Sequence, residues 1–161
     1  MRNILKHYID DFLSIFKFRI LIDPNTEEKL IPLYKTNGAS GCDFCAAEHG
    51  IIYPGESKLI PTGVRMVIPK GYELQLRPRS GLALNSGITM LDTPATIDSD
   101  YRGEIGIVLI NHSNTPFKWD KHDRIGQGVF TKVRRATFIR SRYKLSSTLR
   151  GTSGFGHTGI N

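Results

Sequence analysis

The sequence of 161 residues has only two cysteines and one tryptophan. Two cysteines exclude a disulfide framework, and a chain of this length buries a sizeable core without disulfides or a structural metal. No apolar run reaches the roughly 18 residues that a transmembrane helix needs, so membrane insertion is not expected. The apolar N-terminal stretch is interrupted by Lys6, His7, Asp10 and Asp11. It therefore makes a poor signal peptide, and its two acids argue against a mitochondrial leader. Cys42 and Cys45 form a C-x-x-C pair, but no second pair and no paired histidines complete a metal site. On a strand, their odd spacing puts them on opposite faces. Two free thiols fit a reducing, cytoplasmic setting.

Acidic residues are also scarce, 15 against 22 basic ones, for a net charge of +7. The imbalance is local. Residues 118–150 carry ten Lys/Arg and two Asp, and the rest of the chain is close to neutral. A basic C-terminal third suits a polyanionic ligand, either nucleic acid or a nucleoside triphosphate. Only four aromatic residues, Trp119, Phe130, Phe138 and Tyr143, lie among the basic ones, which gives weak support to a single-strand nucleic-acid groove. Hydrophobic and charged contents of 39% and 23% are those of a soluble globular domain.

Along the chain, Ile4, Leu5, Tyr8, Ile9, Phe12, Leu13 and Phe16 recur at helical spacing. They predict an amphipathic helical extension over residues 1–15, either packed on its own assembly or docked to a membrane surface or partner. Residues 16–22 then alternate as a strand that ends at Asp23, Pro24 and Asn25. Beyond this lie short runs punctuated by Gly, Pro and Asn, with strand-like stretches at 64–68, 72–76, 104–110 and 129–133. Many short, evenly spaced strands predict an all-β sandwich or barrel. The last dozen residues are too rich in glycine to form a stable element.

Three segments carry candidate chemistry. Thr96, Ile97, Asp98, Ser99, Asp100, Tyr101, Arg102, Gly103 and Glu104 concentrate carboxylates and a tyrosine between Pro94 and a glycine. This is either a polar turn or a carboxylate held near a water. Pro78, Arg79, Ser80, Gly81, Leu82 and Ala83 offer a hydroxyl, backbone amides and a guanidinium to a phosphate, or else a plain turn before a short helix. The tail from Arg150 to Gly159 combines an arginine, close-approach glycines and Phe155, a ring able to stack on a base.

Together with Ser40–Phe44 and Asp123–Gln127, these segments fall in the order of the five motifs of the trimeric dUTPase family, which the chain resembles over residues 17–161. The resemblance implies a jelly-roll-like β-barrel of the β-clip class over residues 16–149 and a flexible C-terminal arm over residues 150–161. It implies a homotrimer with active sites between subunits, and hydrolysis of dUTP to dUMP and pyrophosphate assisted by Mg²⁺. By similarity, Asp98 is the base that activates water. Arg79, Ser80, Gly81 and Gln127 face the phosphates. Tyr101 packs under the deoxyribose and leaves no room for a 2′-hydroxyl. Asp43 supports the site and reaches the metal through water. Uracil is read by a hairpin over residues 88–97, which includes Asp92 and Ile97. Arg150 would meet the γ-phosphate and Phe155 would cover the base, with Gly156, His157 and Thr158 alongside.

Some positions depart from the family pattern. Ala95 replaces a glycine and would be strained if its φ were positive. Asp92 replaces an asparagine; as an acceptor only, it suits N3–H of uracil or the amine of cytosine. Gly126 and Gly128 replace larger apolar residues, which should loosen their strand. In the tail, Ser153 stands for a glycine and His157 for a serine. The rival readings are a dCTP deaminase or bifunctional relative, a regulatory protein that senses dUTP, and a basic nucleic-acid-binding module.

Overall fold

The computed structural model describes residues 18–154. The helix expected over residues 1–15 lies outside them. Within them, period-two alternation of apolar and polar side chains sets the architecture. The strands are β1 (Leu21–Ile22), β2 (Cys42–Cys45), β3 (Gly50–Ile52), β4 (Ser57–Pro61), β5 (Met66–Val67), β6 (Tyr72–Arg77), β7 (Ile88–Met90), β8 (Ala95–Ile97), β9 (Gly106–Asn111), β10 (Phe117–Trp119) and β11 (Arg124–Lys132). One α-helix, α1 (Ser80–Ser86), and a 3-10 turn at Glu28–Leu30 complete the described elements.

All pairings are antiparallel. A four-stranded sheet has the order β2-β11-β6-β8 and a three-stranded sheet the order β4-β9-β7. The pairs β1-β5 and β10-β3 stand beside them. This is the expected all-β, antiparallel, jelly-roll-like class, built from separate ladders. Of the strand expected over residues 16–22, the described residues 18–22 form one at Leu21 and Ile22, paired with Val67 and Met66 of β5.

The two larger sheets enclose the core. Phe44, Leu74 and Leu76 come from one; Ile60, Ile88, Ile107 and Leu109 come from the other, all essentially inaccessible. Each such side chain contributes roughly 1.5–3 kcal/mol by leaving water. Among the described residues two polar side chains are also buried, and both are satisfied. The Thr62 hydroxyl donates to the Ile105 carbonyl at 2.6 Å. Asn111 donates through Nδ2 to the carbonyls of Ile52 and Thr115, and its Oδ1 accepts from the amide and hydroxyl of Ser113. One asparagine thereby closes the turn that the sequence marks at 111–114.

The glycines of β11 do not loosen it. A Cβ at Gly128 would lie 2.6 Å from Phe44 Cε2 and 2.7 Å from Leu74 Cδ1, and one at Gly126 would lie 2.7 Å from Ile107 Cδ1. The missing side chains are replaced by neighbours that pack onto bare backbone, and β11 is the longest described strand. Ala95 is likewise unstrained. It sits in β8 opposite Leu76, and His122 is the only described non-glycine residue with positive φ.

Two stability changes follow, both readable by urea denaturation. Gly128→Val overpacks the contact with Phe44 and Leu74 and should cost about 1–3 kcal/mol. Asn111→Ala strands buried carbonyls and should cost about 2–3 kcal/mol. A midpoint unchanged from wild type in either variant would contradict the packing described.

Candidate active site

The predicted site residues fall into two clusters on this chain. The first is built on β8 and the loop after it. Strand β8 delivers Ile97 to the edge of the four-stranded sheet, opposite Leu74 of β6, and the chain then turns at Asp98. The Tyr101 amide bonds to the Asp98 carbonyl at 3.1 Å. Arg102 folds back so that its guanidinium donates to the carbonyls of Ser99 and Tyr101 at 2.8 and 2.7 Å. The Tyr101 hydroxyl donates to the Glu104 carbonyl at 2.9 Å. The ring thereby lies over Gly103, where any Cβ would collide with it. These bonds brace the polar turn from within.

Beside this loop is a cavity of about 290 Å³ lined by Leu59, Thr96, Ile97, Asp98, Tyr101, Glu104 and Gly106. Three predicted residues, Ile97, Asp98 and Tyr101, thus share one wall. Thr96 and Glu104 are the two ends of the segment that the sequence marks, with no role assigned to either, whereas Leu59 belongs to β4 and only the fold brings it here. The Asp98 side chain is exposed, and among the described residues nothing hydrogen-bonds its carboxylate.

The second cluster lies where β2, β11 and the end of β6 meet. Asp43 faces outward from β2, with its side chain 15% exposed, and is held by two guanidiniums. Arg124 Nη1 lies 2.8 Å from Asp43 Oδ2, and Arg79 Nε lies 3.5 Å from Oδ1. Arg79 also donates to the Arg124 carbonyl at 2.8 Å, and Gln127 donates to the Pro78 carbonyl at 2.9 Å. Side chains of two elements therefore fix the 78–79 segment to β11, and α1 begins at Ser80. Ser80 and Gly81 are exposed in its first turn, where backbone N–H groups lack intrahelical acceptors. The arrangement presents donors and positive charge, chemistry suited to an anion.

Arg124 belongs to this cluster but was not identified from sequence. Arg124 and Gln127 are three apart, so on a regular strand they would face opposite ways. A register shift between Arg124 and Gly126 lets Ile125 and Gly126 both turn inward. Arg124 then lies opposite Cys45, and Gln127 opposite Asp43, on one face.

Cys42 and Cys45 occupy opposite faces of β2 as expected, and both are free. Burial pushes both thiols above the ordinary cysteine value, and the neighbouring Asp43 charge pushes Cys45 further. Among the described residues no group of three or more His, Cys, Asp or Glu side chains is arranged to hold a metal.

The two clusters do not meet. Strand β6 runs from the level of Ile97 to Arg77, roughly 10 Å away, before the Arg79 segment begins. The remaining predicted residues are also apart. Asp92 is exposed in the link from β7 to β8. That link is not a hairpin: β7 pairs with β9 in one sheet and β8 with β6 in the other, so residues 91–94 form an arch between sheets. Beyond Lys132 no described residue lies in a strand, and Phe138 and Ile139 are 96% and 84% exposed. Arg150 bonds the Ser153 carbonyl within its own turn. Phe155, Gly156, His157 and Thr158 lie outside the described residues. No described helix is long and apolar enough to cross a membrane.

Comparison with known proteins gives the same outline. The chain is 52% identical to the deoxyuridine 5'-triphosphate nucleotidohydrolase of Nautilia profundicola over 141 residues, covering 88% of this chain and 99% of that protein. It is also 52% identical over 133 residues to the enzyme of that name from Chlamydia pneumoniae, covering 81% and 92%. In fold it is similar to the dUTPase of Staphylococcus bacteriophage 80alpha with dUPNHPP, at a TM-score of 0.80 and 22% identity over 89% of this chain and all of that one. A mutant dUTPase of phage phi11, whose structure reveals the coordination of a structural Mg(II) ion, aligns at a TM-score of 0.72 and 20% identity over 80% of this chain and 99% of that one. The dUTPase family model matches residues 27–159, and the chain belongs to the dUTPase family.

Proposed function

We propose that the protein hydrolyses dUTP to dUMP and pyrophosphate, with Asp98 as the base. The observation that carries this reading is the shared cavity of Asp98 and Tyr101: an accessible carboxylate and an aromatic ring stand side by side on a braced loop. Asp98 takes a proton from a bound water, and the oxygen attacks the α-phosphorus in line as the bond to the pyrophosphate oxygen breaks. A carboxylate is a weak base, so holding the water in line supplies much of the effect.

Tyr101 packs under the deoxyribose and fills the space of a 2′-hydroxyl. The arch with Asp92, together with Ile97 of β8, reads the base, with Asp92 accepting from N3–H. Arg79, Ser80, Gly81 and Gln127 hold the phosphates. The separation of the two clusters on one chain supports a homotrimer whose sites lie between copies, with Asp98 of one copy facing the arginine cluster of another. The exposed apolar residues 138–139 support the same assembly, because their burial requires a second copy. The arm over residues 150–161 then closes across the base and γ-phosphate with Arg150, Phe155, Gly156, His157 and Thr158.

Mg²⁺ would enter with the triphosphate, held by Asp43 through a metal-bound water, and would supply neutralisation of phosphate charge. The donor set fits an ion that keeps its waters: each Asp43 oxygen meets one guanidinium in the structure and retains lone pairs for a metal-bound water. The free thiols suit a reducing compartment, and we place the protein in the cytoplasm.

Pyrophosphate release from a panel of nucleoside triphosphates tests this reading. Wild type should favour dUTP, and Asp98→Asn should lose on the order of 10²–10⁴-fold in kcat; full activity in that variant would remove Asp98 from the role. Turnover of dUTP should exceed that of dCTP, and comparable rates would mean that Asp92 accepts a cytosine amine as readily as N3–H.

A further inference from the structure

Glu104 joins the braced loop to the turn between β4 and β5 by its side chain and to Tyr101 by its backbone. Its Oε1 accepts the Gly63 amide at 2.8 Å, across the turn between β4 and β5. Its Oε2 lies 3.6 Å from Arg65 Nη2, a looser and more exposed contact. Its carbonyl accepts the Tyr101 hydroxyl. The backbone just beyond it is fastened to the same turn: the Ile105 amide donates to Val64, and the Ile105 carbonyl accepts from Thr62. Glu104 also lines the cavity.

From this geometry we propose that Glu104 is a positioning residue that sets the height of the Tyr101 ring, and through it the exclusion of ribonucleotides. The inference rests on the reading of Tyr101 given above. The loop meets the sheet at Glu104. If the bond to Gly63 is lost, the Glu104 carbonyl is held only through its own peptide plane, by the Ile105 amide on Val64, so the acceptor of the phenol is less firmly placed and the ring can shift off the space it fills. The carboxylate does not touch the reacting atoms. Its effect should therefore appear in discrimination between sugars.

The readout is kcat/KM for dUTP divided by that for UTP, a ratio that cancels any loss of folded protein. Glu104→Ala should lower it on the order of 10-fold. Glu104→Gln keeps an oxygen for the Gly63 amide and should retain most of the wild-type ratio. Tyr101→Phe removes only the hydroxyl that reaches the Glu104 carbonyl, and should also lower the ratio. This second variant decides the matter if Glu104→Ala does not fold. A wild-type ratio in either Glu104→Ala or Tyr101→Phe overturns the proposal, as does a Glu104→Gln ratio as low as that of Glu104→Ala. A wild-type protein that does not hydrolyse dUTP in preference to UTP would instead overturn the reading beneath it.

Discussion

The pairing of β11 with β2 on one side and β6 on the other is the constraint on which the rest depends. A nine-residue strand in the middle of a four-stranded sheet must satisfy two ladders at once. It does so while giving up side-chain volume at Gly126 and Gly128, so that Phe44, Leu74 and Ile107 reach its backbone. Close packing in one place and a charged, donor-rich cluster in another come from the same strand. Its inward face completes the core, and its outward face carries Gln127 and, through the register shift, Arg124.

That shift also shows why a guanidinium pair forms around Asp43. Two arginines near one another repel unless an acid lies between them. Asp43 supplies it, and the cluster retains net positive charge at the exposed end of the sheet. The value of the cluster lies in geometry: Arg79 is held in place through both the carboxylate and the Arg124 carbonyl.

Much of this was legible in the sequence, for local reasons. Alternating residues announced the strands, and the asparagine-rich turn at 111–114 announced a reversal. The segment from Asp98 to Glu104 braces itself almost entirely through bonds between residues three apart or closer, so its character could be read without knowing the fold. What could not be read depends on register. Placing Arg124 beside Gln127 requires the shift in β11. Leu59 reaches the cavity because β4 lies beside β9. The glycines of β11 read as weak points because their packing partners lie up to 84 residues away in the chain, as Phe44 does from Gly128. Nor could a run of residues reveal that Asp98 and Arg79 stand at different levels of β6.

The arch over residues 91–94 also departs from what local sequence suggests. A hairpin of that length could flex as a unit about its open end. Here each side is anchored in a different sheet, and the Leu91 amide is tied to the Val108 carbonyl at 2.9 Å. A flat ring that docks against such a span meets amides and carbonyls whose directions are already set. Little conformational entropy is then left to lose on contact, so selectivity can come from fixed main-chain dipoles, with few side chains committed to it.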